Sequence, residues 1–264
     1  MSKGEDLHWS TSITSVKPNE IRLRGYRIDE LMGSCRFSEV VYLALRGELP
    51  SKSVGEVIEA ILVSSIDHSA TPPSALATRT AASTGAPINA AVCAGLLSIN
   101  AFHGGAIEDA MKFFYSAVER ARALEGDLED RALAFARELK EARQRASGYG
   151  HRIHNDDPRT ARLFEIAGKN GCLGEHCRFA LAFKNALYQT TGKDLPLNVD
   201  GAIAAVLCDL GFSSEIANAF FMMARLPGLV AHYFEEKSRE KVMRKIHPTD
   251  FDYDGPQPRQ LPKE

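Results

Sequence analysis

The residues of this chain best suited to chemistry crowd into one stretch, "SGYGHRIHNDDPRTARL", residues 147–163. It sets His151, His154, Asp156, Asp157, Arg152, Arg159 and Arg162 around a turn opened by Gly148 and Gly150. Two chemistries fit. His151 and His154 are three apart and could ligate a metal, with His68 or His103 as further ligands. Alternatively, His151 could carry a proton beside an arginine that grips an anion. HxxH on a glycine-rich turn does not set both rings on one helical face. The chain also has no HExxH and no paired-cysteine framework, so the proton carrier is the better-supported reading and no metal is expected.

Four other places carry polar residues that apolar helices do not explain. Asp67 and His68 close an apolar segment just before a Pro-Pro break, and His103 precedes two glycines in "NAFHGGAIEDAM". Asp200 stands at the mouth of the all-apolar "GAIAAVLCDLG", and Arg225 interrupts the apolar "MMARLPGL". Plain structural readings exist for Asp200 as an N-cap, His103 as a loop histidine and His232 as a satisfied helix histidine. Arg225 is harder to dismiss, because a guanidinium in an apolar helix needs a partner or an anion. Together, the histidines, one carboxylate and several arginines suit carbon–carbon chemistry on a di- or tricarboxylate. Arginine forks grip carboxylates. A neutral histidine N–H can hydrogen-bond an enolate oxygen. A carboxylate and a second histidine can move protons to and from carbon and oxygen.

The rest of the chain must position these groups. Its 264 residues suit one large domain or a large and a small one. A net charge of −2 gives no global field for nucleic acid or an anionic membrane. Neither partner is expected, and anion binding has to come from local arginines. The polar start "MSKGEDLHWS" lacks a signal-peptide core, and "GAPINAAVCAGLLSINAF" is too broken by Pro87, Asn89 and Asn100 to span a bilayer. Five cysteines without a CxxC pair read as buried thiols in a reducing cytoplasm.

Residues 10–28 alternate around "KPNE" and predict a hairpin. Helical periodicity then takes over. "FSEVVYLALRGEL" predicts a helix capped by Ser38 with a stripe of Phe37, Val40, Val41, Ala44 and Leu45, and the next stripe is Val54, Val57, Ile58, Ile61 and Leu62. Further helices are expected over 75–83, 86–101, 105–123, 128–146, 157–169, 173–191, 200–210 and 213–240. Residues 86–101 and 201–208, almost uncharged, belong in the middle of a bundle. The tail "HPTDFDYDGPQPRQLPKE" reads as an extended arm.

On these motifs the chain resembles the citrate synthase superfamily along almost its whole length. "IRLRGYRIDELMGSCRFSEVVYLALRGELPS" is similar to the N-terminal signature, "DHSA" to the first histidine motif and "FHGGAIEDAM" to "HGGANE". "GYGHRIHNDDPR" resembles "GxGHRVYxxxDPR", while "LNVDGAIAAVLCDLG" and "ARLPGLVAHYFEE" resemble the aspartate and arginine segments. The short length, "NVDG" and "RKIHPTDFDYDG" look like the citryl-CoA lyase branch, which includes the C-terminal module of ATP-citrate lyase. The resemblance implies an all-α fold with a small N-terminal hairpin and large and small helical domains: residues 1–146 and 226–264 in the large one, 147–225 in the small one. It also implies a cytoplasmic homodimer with the active site in the interdomain cleft. The implied reaction is cleavage of citryl-CoA to acetyl-CoA and oxaloacetate, with coenzyme A as part of substrate and product and no tightly bound cofactor.

The same resemblance assigns roles. His103 holds the thioester oxygen, His151 handles the substrate hydroxyl, and Asp200 exchanges the proton at the acetyl carbon. His68, Arg159 and Arg225 hold carboxylates, and Gly148, Tyr149 and Gly150 line the CoA cleft with backbone groups. The chain differs from a synthase in carrying Ser65 where a second histidine is usual, and Gln257 with Arg259 two residues on where an "RPR" arginine is usual. A citrate or 2-methylcitrate synthase and a non-catalytic family member stay as alternatives.

Overall fold

Polar–apolar alternation about Lys17-Pro18-Asn19-Glu20 builds an antiparallel sheet of β1 (Thr14–Lys17), β2 (Glu20–Leu23) and β3 (Tyr26–Arg27), in that order. The computed structural model describes residues 9–150, 157–245, 252 and 254–261. The expected hairpin thus gains a third strand. Arg24 and Gly25 both have positive φ (49° and 90°), as a tight two-residue turn between twisted strands demands. The Arg24 side chain reaches Ala44 O at 2.9 Å and so caps the end of the second helix with a cation.

Helices make up most of the rest, as expected: α1 (Ile28–Leu31), α2 (Phe37–Arg46), α3 (Lys52–Ser64), α4 (Pro73–Ser83), α5 (Ile88–Leu97) and α6 (Ala106–Arg122). They continue as α7 (Leu128–Glu141), α8 (Pro158–Lys169), α9 (Glu175–Thr191), α10 (Val199–Asp209) and α11 (Ala217–Arg239). The α3 stripe is as predicted, with Val57, Ile58 and Ile61 buried. The α2 stripe is not. Arg36 precedes the helix, its N–H bonded to Glu39 at 2.7 Å, while Ser38 is buried within the first turn and Phe37 is 78% exposed. The buried face is set instead by Leu43, beside a Tyr42 that meets Phe212 edge-on.

α10 lies at the centre, every residue from Gly201 to Cys208 buried, and packs on α6, α8 and α9. α5 departs from expectation. Its Ala91, Val92 and Gly95 pack inward, and Gly95 is needed there because a Cβ would lie 2.1 Å from Thr78 Oγ1 on α4. Ile88, Cys93 and Leu97 are exposed, along with Leu226, Val230 and Phe234 of α11. Uniform apolarity predicted burial, yet within one chain only half of the helix is covered. The aromatic core joins Phe113 and Phe114 of α6, Phe135 of α7 and Phe183 of α9 to Tyr149, so packing runs across the expected boundary after residue 146.

One buried carboxylate ties this core together. Asp209, at the end of α10, accepts from the backbone N–H groups of Gly174 (2.8 Å), His176 (2.9 Å) and Cys177 (3.0 Å) and from His176 Nδ1 (2.8 Å). It therefore caps α9 from a neighbouring helix. Burial pushes its carboxyl up, but His176 and the backbone donors outweigh burial and hold it below its ordinary value. A depressed folded pKa means stability that is present above the unfolded value and lost as pH falls through the folded one. Asp209→Asn is expected to cost about 1–3 kcal/mol near neutral pH. Urea unfolding at pH 7 and pH 3 checks this: the gap between variant and wild type must shrink in acid.

Candidate active site

The glycine-rich stretch is built into the fold by a short antiparallel ladder. Gly150 N donates to Pro196 O (2.7 Å), Asn198 N to Gly148 O (3.0 Å), and Asn198 Nδ2 to Gly150 O (2.8 Å). Gly148 has φ +86°, and a Cβ on it would sit 2.6 Å from Gly201 Cα. Only two glycines allow this loop to touch the first turn of α10. The backbone groups of Gly148 and Gly150 are thus engaged by residues 196–198. Tyr149 turns inward, its hydroxyl donating to Ala180 O (2.8 Å), and burial raises its pKa well above the ordinary value. His151, with His154, lies outside the described residues; it follows Gly150 directly in the chain.

The ladder leads to Asp200. The cap of α10 is Asn198, whose Oδ1 accepts from Gly201 N at 3.0 Å, so the cap reading of Asp200 does not hold. Asp200 sits within the first turn, and no described residue hydrogen-bonds its carboxyl. Burial raises its pKa, opposed by the charges of Arg159 and Arg225, while Asp157 adds to the rise. A carboxylic acid held above its usual range, close to arginines, is suited to giving and taking a proton.

Asp157 and Arg159 open α8. The fully buried Asp157 carboxylate accepts from Arg159 N (3.0 Å), Nε (3.0 Å) and Nη2 (2.9 Å), and from Val199 N (3.2 Å). One side chain therefore ties the start of α8 to the start of α10. Arg159 is thus already forked onto Asp157, which leaves its remaining N–H groups for a ligand.

His103 sits on a tight turn closed by Asn100 N to His103 O (2.9 Å) and His103 N to Asn100 O (2.8 Å). Gly104 (φ +78°) is needed there because a Cβ would meet the Phe221 ring at 2.6 Å. The Nε2 of His103 lies 2.8 Å from Ser74 Oγ and 3.4 Å from Ser74 N. A backbone N–H can only donate, so Nε2 accepts and the proton of the neutral ring is on Nδ1. Burial, then the charge of Arg225, lowers the pKa of His103 and favours that neutral form.

Arg225 is 2% exposed on α11, with Nε donating to Ser65 O (3.0 Å) and its guanidinium over the Phe221 ring at 4.7 Å. Among the described residues no carboxylate pairs with it directly. Burial lowers its pKa, while the charges of Asp67 and Asp200 act the other way. His68 follows Asp67 on the turn after α3 and is half-buried. The fold thus gathers Asp200, Arg159, Arg225, His103 and the turn carrying His68 closely enough for their charges to act on one another. Sequence reasoning gave no role to Ser74, Asp157 or Asn198. The signals for the last two were present, since Asp-Pro and Asn-x-x-Gly are ordinary helix starts. Among the described residues no group of three His, Cys, Asp or Glu comes together to hold a metal.

This site lies in a mostly helical fold with motifs supplied by six separate segments. The family described as "Citrate synthase, C-terminal domain" matches residues 7–56 and 50–246, and the chain belongs to that family. It is similar to the solved citryl-CoA lyase from Hydrogenobacter thermophilus: 42% identity, 96% of this chain and 97% of that one covered, TM-score 0.87. It is 27% identical over 215 residues to citrate synthase 2 of Bacillus subtilis (80% of this chain, 54% of that protein). It is 31% identical over 226 residues to the probable ATP-citrate synthase subunit 1 of Schizosaccharomyces pombe (79% of this chain, 35% of that protein). The chain therefore spans about half of the first of these curated relatives and about a third of the second.

Proposed function

We propose that this protein is a citryl-CoA lyase, cleaving citryl-CoA to acetyl-CoA and oxaloacetate. Full-length likeness to the Hydrogenobacter thermophilus lyase at 42% identity carries the reading. In the proposed mechanism His151 takes the proton of the substrate hydroxyl as the carbon–carbon bond breaks. The electron pair moves onto the thioester enolate, and the hydroxyl carbon becomes the ketone of oxaloacetate. His103, neutral and with its proton on Nδ1, donates to the enolate oxygen. Asp200, in its protonated form, delivers a proton to the terminal carbon to give the methyl group of acetyl-CoA. Solvent then returns a proton to Asp200 and removes one from His151. His68, Arg159 and Arg225 hold the carboxylates, and CoA lies along the Gly148–Gly150 loop, whose ladder ties it to the first turn of α10, where Asp200 sits.

The exposed apolar side chains of α5 and α11, with Leu97 78% and Phe234 71% exposed, favour a second copy of the chain as their cover. Five free thiols, among them the exposed Cys93, favour a reducing, cytoplasmic setting. Among the described residues no helix is long and apolar enough to cross a membrane. Supplying acetyl-CoA with oxaloacetate separates this reading from a synthase. A lyase running backwards accumulates citryl-CoA without free thiol, whereas steady release of CoA and citrate would contradict the assignment.

A further inference from the structure

We infer that His232, a residue without a role in the reaction above, is a positioning residue that sets the turn bearing His68 through Asp67. The inference rests on the lyase reading of the site.

Three α11 residues on one stripe, at spacings of three and four, grip that turn. Arg225 Nε donates to Ser65 O at 3.0 Å. Gly228 lets α11 press against the turn, since a Cβ there would lie 2.2 Å from Ile66 O. His232 Nε2 lies 3.0 Å from Asp67 Oδ1. Asp67 passes the constraint on, because its Oδ2 accepts from Ser69 N at 3.0 Å and Ser69 is in the left-handed region (φ 71°). The carboxylate therefore links the backbone just after His68 to the His232 ring of α11.

The ring of His232 is itself oriented. Its Nδ1 lies 3.3 Å from Arg79 Nη1, and an arginine can only donate. Nδ1 is thus the acceptor, and Nε2–H points its donor at Asp67. Arg79, 7% exposed on α4, is held in turn by Glu236 at 2.8 Å and Glu235 at 3.4 Å. Glu236, 2% exposed, is gripped by Arg244 Nη2 at 2.7 Å, just beyond the end of α11. A chain of five polar groups thus runs from Arg244 through Glu236, Arg79 and His232 to Asp67. Satisfying every member of a buried network fixes a unique geometry. What this network fixes is the turn beside Arg225, not the α4–α11 contact alone.

Steady-state kinetics in the synthetic direction test it, with oxaloacetate and acetyl-CoA varied separately and thermal unfolding measured alongside. His232→Leu is expected to raise the KM for oxaloacetate about tenfold or more, the effect of one hydrogen bond to a charged group, and to leave the KM for acetyl-CoA unchanged. Asp67→Ala, at a partly exposed position, should give the same selective rise. The double variant should be no worse than either single one. His232→Gln, which can donate to Asp67 and accept from Arg79, should recover much of the loss. Unchanged oxaloacetate KM in Asp67→Ala, or additive losses in the double variant, overturns the inference while leaving the lyase intact. A wild type that forms no citryl-CoA overturns both.

Discussion

Asp200→Asn is expected to lose about 10²–10⁴-fold in kcat for citryl-CoA cleavage, the contribution of a general acid–base group, while becoming slightly more stable at neutral pH. The two effects have one cause. Burial raises the pKa of Asp200, and an ionised carboxyl there costs folding free energy. A folded pKa above the unfolded value means that stability is fully present below the unfolded pKa and falls as pH rises through the folded one. Asparagine cannot ionise, so the variant escapes that loss. Its stability advantage should be present near pH 7 and vanish as pH falls below about 4, the unfolded carboxyl value. Asn198, not Asp200, caps α10, so the helix start survives the change. Single-turnover cleavage and thermal melts across pH check both halves. A variant that is destabilised and still active would return Asp200 to a structural role.

Arg225→Met is the second large effect. The guanidinium is buried with only Ser65 O and the Phe221 ring as direct described partners, so its remaining donors suit a substrate carboxylate. Each charge-assisted hydrogen bond lost is worth about 1.5–3 kcal/mol, and the KM for oxaloacetate should rise about 10–100-fold per bond on that scale. Stability should stay level or improve, because an apolar side chain of similar volume replaces a poorly compensated charge. Isothermal titration with oxaloacetate, beside a thermal melt, separates the outcomes. A large fall in melting temperature with unchanged affinity would make Arg225 a structural residue.

Much of the site was legible because its residues are chemical misfits. A histidine before two glycines and an arginine in an apolar helix both break the local pattern. The misreadings share another origin. "NVDG" offers two capping side chains two residues apart, and local sequence cannot tell Asn198 from Asp200. The pairing of Arg159 with Asp157 is not legible in sequence, because it depends on how α8 starts. The inward turn of the Tyr149 side chain is not legible either, because an aromatic beside two glycines carries no sign of which way it points. The α2 stripe failed for a similar reason, since Leu43 and Tyr42 answer to Phe212, distant in sequence. Uniform apolarity marks all of α5 for burial, but only the face of Ala91, Val92 and Gly95 is covered, because apolarity alone does not say which face its neighbours reach. His232 read as a satisfied helix histidine, which it is; its reach to Asp67 needed the fold.

The central claim is retro-aldol cleavage with proton delivery to carbon, and cleavage of citryl-CoA in deuterium oxide tests it most directly. Mass spectrometry of the products should find oxaloacetate and acetyl-CoA in equal amounts, with one deuteron in the acetyl methyl group at first turnover and no free CoA. Free citrate with free CoA, or acetyl-CoA without solvent deuterium, would contradict it.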